Sequence, residues 1–239
     1  MCEECGCGIP EESKKEATHK SEEVQLYRNL LEENEKEADE NREHFFEHNV
    51  FAVNLMGSPG AGKTALLEAI AKKIGGNLKM AVIEGDLATE RDAERMKNVG
   101  VEAVQIMTGS TCHLDAKSVH KALHKLDLEN IELLFVENVG NLVCPALYDI
   151  GCHINGVVLS VTEGSDKVAK YPLIFRKSQF LALSKTDLIP YVDFNIEQPK
   201  KEAKLLRGDI KFFKLSSKTE EGVEEFIKYL LEKRKEVFE

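Results

Sequence analysis

No run of 18 apolar residues occurs in this 239-residue chain, so no segment reads as a membrane-crossing helix. Nor is there a basic excess to wrap nucleic acid. The net charge is −10, and residues 1–49 hold 15 Asp/Glu against 6 Lys/Arg, whereas the other 190 hold 27 against 26. The acid belongs to an N-terminal arm. The opening MCEECGCGIPEESKK lacks the basic and apolar regions of an export signal. The expectation is therefore a soluble cytoplasmic protein, with no membrane or nucleic-acid partner. In a reducing compartment its six cysteines serve as metal ligands or buried thiols rather than disulfides. No internal repeat is visible.

What is present falls into three parts. Residues 1–20 are polar and too poor in apolar side chains to fold alone, and read as a flexible, Cys-rich, metal-binding tail. Residues 21–48 place Val24, Tyr27, Leu31, Phe45 and Phe46 as a helical stripe without a Pro or Gly interruption, an amphipathic arm leaning on the main domain. From residue 49 to 239, seven apolar runs (50–56, 79–86, 102–107, 132–138, 155–162, 179–187 and 210–217) alternate with helical patterns at Ala65–Ile74, Thr89–Val99, Asp115–Leu126, Glu197–Leu206 and Glu220–Lys235. Runs rich in Val, Ile, Leu and Phe, without polar alternation, suit strands covered on both faces. The predicted fold is α/β, a mostly parallel seven-stranded sheet flanked by helices, with its ligands at the carboxyl ends of the strands.

Gly57-Ser58-Pro59-Gly60-Ala61-Gly62-Lys63-Thr64 is G-x-x-x-x-G-K-T between a strand and a helix that continues through Ala65. Small residues let backbone N–H groups close around phosphate oxygens, and the helix N-terminus adds partial positive charge. Lys63 then reaches the β/γ-phosphates and Thr64 offers a hydroxyl to Mg²⁺. The base is read further on. Lys185-Thr186-Asp187 resembles the N-K-x-D element of GTP-binding proteins, with Ser184 in place of Asn, and Ser216-Ser217-Lys218 stands where such proteins carry a base-edge loop. The Asp187 carboxylate accepts from guanine N1–H and the exocyclic amine, which adenine cannot offer. Hydrolysis also needs a metal anchor and a γ-phosphate sensor. Asp86, in Glu84-Gly85-Asp86, can hold Mg²⁺ or orient the attacking water. In the segment 137–141 Glu137 stands where many GTPases have Asp, and the Gly140 N–H can sense the γ-phosphate.

Two groups of soft ligands remain. Cys112, His113 and Cys144 make an incomplete tetrahedral or square-planar set, one ligand short, which a symmetric partner would complete. Cys144 lies four residues past Gly140, so a ligand tethered to the sensor would move when phosphate leaves. Cys2, Cys5 and Cys7 with the terminal amine suit square-planar Ni²⁺ or tetrahedral Zn²⁺. Cys152-His153 reads as structural. His120 and His124, spaced i, i+4, read as a solvated edge in preference to a metal clamp.

Together these motifs resemble the nickel-inserting GTPases of hydrogenase maturation, the HypB family. The resemblance rests on C-x-x-C-G-C-G, N-L-M-G-S-P-G-A-G-K-T, G-D-L-A-T-x-x-D, the 112–116 run, F-V-E-N-V-G-N-L-V-C-P and S-V-T-E-G-S-D-K-x-x-K-Y-P-L-I-F. It implies a P-loop NTPase of the dimerising class: a slow GTPase, homodimeric when GTP-bound. It further implies a G-domain metal site at Cys112, His113 and Cys144 near the dimer interface, taking Ni²⁺ or Zn²⁺, and a tighter nickel site at Cys2, Cys5 and Cys7. The implied partners are a small nickel metallochaperone and the [NiFe]-hydrogenase large subunit, with urease a second recipient in some members. Two rival readings follow from the residues alone: a chaperone GTPase for an organic-cofactor enzyme with structural cysteines, and a metal sensor or buffer with a vestigial nucleotide site.

Overall fold

The computed structural model describes residues 11–86, 91–109 and 111–239, and of residues 11–24, 26, 27 and 91 the backbone alone. Cys2, Cys5, Cys7 and Thr89 lie outside the described residues, as do the side chains of Val24 and Tyr27.

The apolar runs become strands β1 (Phe51–Gly57), β2 (Met80–Asp86), β3 (Glu102–Met107), β4 (Leu133–Glu137), β5 (Ile154–Ser160), β6 (Phe180–Ser184) and β7 (Lys211–Lys214). They form one sheet in the order β3-β2-β4-β1-β5-β6-β7, and every neighbouring pair is parallel. Parallel neighbours need crossovers, and these carry most of the helices. The helices are α1 (Glu11–Glu47), α2 (Lys63–Ile74), α3 (Arg91–Asn98), α4 (Ala116–Leu123), α5 (Lys167–Lys170), α6 (Pro172–Lys177), α7 (Glu197–Leu206) and α8 (Val223–Phe238).

Alternate side chains of one strand feed cores on opposite faces of the sheet, because successive Cβ atoms point to opposite faces. Phe51, Val53 and Leu55 pack with residues of α2, α3 and α8. Ala52 joins Phe45 of α1 and Val119 of α4, while Met56 joins the β5 and β6 residues packed under α6 and α7. Both faces are covered, which explains runs without polar alternation.

α1 begins at Glu11, ten residues before the helix expected from Ser21. The Glu/Lys-rich run from Glu11 is made of strong helix formers, so its low apolar content does not break the helix. The arm docks on its own domain through buried Ala38, Asn41 and Phe45. Asn34 closes the seam, its amide donating to Asp149 O at 2.7 Å and its carbonyl accepting from Ala116 N at 2.9 Å. Phe46, expected in the same stripe as Phe45, is instead 65% exposed. One residue is 100° of helical turn, enough to swing it out of the seam toward Phe238.

Sheet order reverses around β1, whose neighbours are β4 and β5. A crevice therefore opens at the carboxyl ends of β1, β2 and β4, where a ligand can enter.

Candidate nucleotide and metal site

The chain leaves β1 at Gly57 and enters α2 at Lys63, wrapping a cavity of about 440 Å³ lined by the loop, Glu84, Asp86, Glu137 and Gly140. Gly62 caps α2 at φ 93° and ψ 25°, a left-handed conformation that favours glycine, and the helix N-terminus lines the cavity. Gly140 has a different reason to lack a side chain: a Cβ there would meet Pro59 at 2.9 Å. The expected phosphate sensor thus lies in van der Waals contact with the phosphate loop. Lys63 is buried, with Nζ 3.4 Å from both Gly57 O and Ser58 O and 3.9 Å from the Glu137 carboxylate. Thr64 Oγ1 donates to Glu137 Oε1 at 3.0 Å.

Glu84 is the residue that motif reading undervalued. It sits opposite Glu137 in the β2–β4 register, two buried carboxyl groups at adjacent strand ends. Burial first, then the neighbouring Glu137 charge, pushes Glu84 up to about 10. Burial also raises Glu137, against the opposing pull of Lys63. Glu84 Oε1 and Glu137 Oε2 are buried without a hydrogen-bond partner. Orphaned carboxylate oxygens beside a threonine hydroxyl are the oxygen donors that a hard divalent cation takes, so the residues fit Mg²⁺. Asp86 lines the same cavity, as do Asp92 and Arg95. Arg95 is held by both Glu68 oxygens at 3.0 and 2.8 Å and by Asp92 at 2.8 Å. No motif marked Arg95, because its partner Glu68 comes from a different helix.

A second cavity of about 500 Å³ adjoins the first at Gly62, Ala65 and Lys185, lined also by Asp187, Ser217 and Lys218. Lys185 turns the chain at φ 57° and donates to Gly60 O at 2.7 Å. Ser184, in place of Asn, donates its Oγ to the Ala61 carbonyl beneath the loop. Ser216, expected to touch the ligand, is instead fully buried behind Asp187 and donates to Asp187 Oδ1 at 2.7 Å. It orients the carboxylate while the rest of the segment lines the cavity.

Cys144, 32 residues further on, comes together with the adjacent pair Cys112 and His113, their ligand atoms within 4.8 Å of one another. The Cys112 and Cys144 sulfurs are 2.8 Å apart. This contact, then burial, raises the Cys144 thiol, while burial lowers His113, which stacks on Tyr148 with ring centroids 3.8 Å apart. Backbone and amide contacts connect this cluster to the phosphate loop. Asn141 N donates to Gly57 O at 3.0 Å, its side-chain amide donates to Cys112 O at 3.4 Å, and its side-chain oxygen accepts from Val143 N at 2.8 Å. Buried Asn138 ties the start of α4 to β1, accepting from Leu114 N and Val139 N and donating to Asn54.

A parallel sheet with a phosphate loop, a helix N-terminus and paired carboxyl groups at one crevice defines a P-loop nucleotide-binding protein. The profile of the CobW/HypB/UreG nucleotide-binding domain matches residues 51–214. The hydrogenase maturation factor HypB of Azotobacter chroococcum is 43% identical over 211 residues, which cover 88% of this chain and 69% of that relative. Two solved structures agree in fold: HypB from Helicobacter pylori in complex with nickel (TM-score 0.83, 40% identity, 87% of this chain and 97% of that one) and HypB from Archaeoglobus fulgidus (0.80, 39%, 85% and 100%). The chain belongs to the HypB family.

Proposed function

We propose that this protein hydrolyses GTP and delivers nickel to the [NiFe]-hydrogenase large subunit, with nucleotide state and metal affinity joined through residues 137–144. The observation that carries the reading is Asn141, one residue bonded both to the phosphate loop at Gly57 and to Cys112. Phosphate entering the loop shifts Gly57 and Gly140, and the sulfur of Cys144 is four residues further along the same segment. The relatives named above as hydrogenase maturation factors, one of them solved with nickel, support that cargo.

Thr64, Glu137, Glu84 and Asp86 would hold magnesium, which when bound supplies positive charge to the β- and γ-phosphate oxygens. Lys63 leaves its carbonyl partners for the same oxygens, and the Gly140 N–H reads the γ-phosphate. Asp187, fixed by Ser216, selects guanine, because adenine would leave its carboxylate unpaired. Cys112, His113 and Cys144 hold the nickel ion, or zinc in its absence, and a second copy of the chain in a GTP-bound homodimer completes the set. Cys2, Cys5 and Cys7 form the tighter nickel site, loaded by a small metallochaperone.

The reading is tested by titrating Ni²⁺ into GDP-bound and GTP-analogue-bound protein, with Cys144→Ala as control. Different affinities in the two states, lost in the variant, are expected; identical affinities remove the coupling. Lys63→Ala should abolish nucleotide binding and metal delivery together, and Asp187→Ala should remove the preference for guanine.

A further inference from the structure

Four of the seven histidines lie where α1 meets α4, as two i, i+4 pairs: His44 with His48 on the arm, and His120 with His124 on the domain. Sequence alone favours a solvated edge for His120 and His124, since nothing in it places a third imidazole nearby. The fold does. Ring centroids of His44 lie 5.1 Å from His120 and 5.6 Å from His124, and the latter two are 4.8 Å apart. One ligand nitrogen from each of the three lies within 4.8 Å of the others. His48 stacks on His44 with ring centroids 6.4 Å apart and bonds Glu129 at 3.0 Å, so its Nδ1 is already engaged outside the set.

The protonation of His120 follows from a residue with no exposure at all. Asn41 is fully buried, and its side-chain NH₂ group donates to Ala116 O at 2.9 Å and to Ile150 O at 3.2 Å. Both donors are used, so the amide oxygen that faces His120 Nδ1 at 3.0 Å can only accept. In the neutral ring Nδ1 therefore carries the proton, and Nε2 keeps its lone pair for a ligand. That lone pair points to His124 Nε2, 3.1 Å away. A histidine whose far nitrogen is tied to a fixed carbonyl-type oxygen is the arrangement that orients and strengthens metal-ligating imidazoles.

We propose that His44, His120 and His124 bind a divalent cation of borderline softness, Zn²⁺, Ni²⁺ or Co²⁺, and that this ion staples the arm to the nucleotide domain. Three imidazoles with no thiolate suit such ions and leave a fourth position for water or for a flanking carboxylate such as Glu40 or Glu47, each of which groups with one of these histidines. Metal–nitrogen bonds of about 2.0–2.1 Å place two imidazole nitrogens at most about 4.2 Å apart, so a modest rotation of exposed His124 closes the set. The staple joins two elements with a bearing on the thiol cluster. α1 follows the Cys-rich terminus in sequence, and α4 starts three residues after His113, capped by Asp115, which accepts from Ser118 N at 2.7 Å. An ion at the seam therefore holds the arm against the helix that begins at the Cys112-His113 loop. The inference stands whether or not the protein hydrolyses GTP.

The test uses the full chain with Cys2, Cys5, Cys7, Cys112 and Cys144 changed to Ser, so that imidazoles are the remaining soft ligands of both clusters. Titration with Co²⁺ should give d–d absorption without thiolate charge transfer, saturating at a single equivalent, and Zn²⁺ should displace it. His124→Gln and His44→Gln should each weaken binding by about tenfold to a hundredfold, whereas His153→Gln should not change it. Zn²⁺ should also raise the melting temperature of the parent and not that of His124→Gln. His124 is exposed, so its variant keeps the fold and a loss of binding reports the ligand. Absence of saturable binding in the chain with those five cysteines replaced, or equal affinity in His124→Gln, would overturn the proposal.

Discussion

Two Cys-His dipeptides, Cys112-His113 and Cys152-His153, share a composition and part company in burial and in the groups that face them. The second is structural. Cys152 is buried, and burial, with the Asp149 charge adding to it, holds its thiol well above the ordinary range. His153 Nδ1 accepts from Ala52 N at 3.0 Å, and its ring packs on Phe45, Phe51 and Phe238. Its lone pair is already spent on the backbone. In the first pair both residues are half-exposed, and the sulfur of Cys144 is the neighbour that Cys112 meets. What decides between a ligand and a packing residue is the group that faces it, and a dipeptide does not encode that.

This contrast can be broken most sharply with metal. Cys112→Ala should lower nickel affinity at the G-domain site by about a hundredfold, and Cys152→Ala should leave it unchanged. Calorimetric titration of the two variants, with residues 1–7 kept intact and their contribution fitted separately, checks this; a comparable loss in both would end the distinction.

A smaller effect lies in acid. Burial, with the Arg42 charge adding to it, lowers His153 to about 4 from an ordinary 6.5, so the unfolded chain binds the proton first. Its contribution to stability is complete above pH 6.5 and is lost as pH falls toward 4, on the order of 2 kcal/mol after allowance for partial exposure. Urea unfolding at a series of pH values should show that slope, and His153→Gln, which keeps an acceptor but cannot titrate, should flatten it. An unchanged slope would mean that other groups carry the acid dependence.

The smallest expected difference is in thiol replacement. Cys152→Ser buries a hydroxyl among apolar side chains and should destabilise by about 1–2 kcal/mol, whereas Cys112→Ser, half-exposed, should stay within about 0.5 kcal/mol. Melting temperatures of metal-free protein compare them. Equal shifts would show that the two environments differ less than their exposures suggest.

Much of the nucleotide site was legible because its parts are local. The run from Gly57 to Thr64 needs only a strand before it and a helix after it, and Asp187 needs only a strand end. The acidic end of the crevice was partly legible: Asp86 and Glu137 were visible as acids after strands, but the pairing of Glu84 with Glu137 is a register between strands 53 residues apart in sequence. Ser216 reads in sequence as a base-edge residue, and in the fold its buried hydroxyl donates to Asp187. Arg95 gave no signal, since its bidentate partner Glu68 lies on α2, 27 residues earlier.

By itself, the amino-acid order determined the alternating α/β class, the phosphate loop and the choice of soft ligands, all of which rest on periodicity and residue chemistry over a few neighbours. Only the folded chain decided which side chains meet: Cys144 with Cys112, Glu84 with Glu137, and His44 with His120 and His124. The physical reason is that coordination and carboxyl coupling act over a few ångströms of space, and strand register and helix docking, products of the whole core, set those distances.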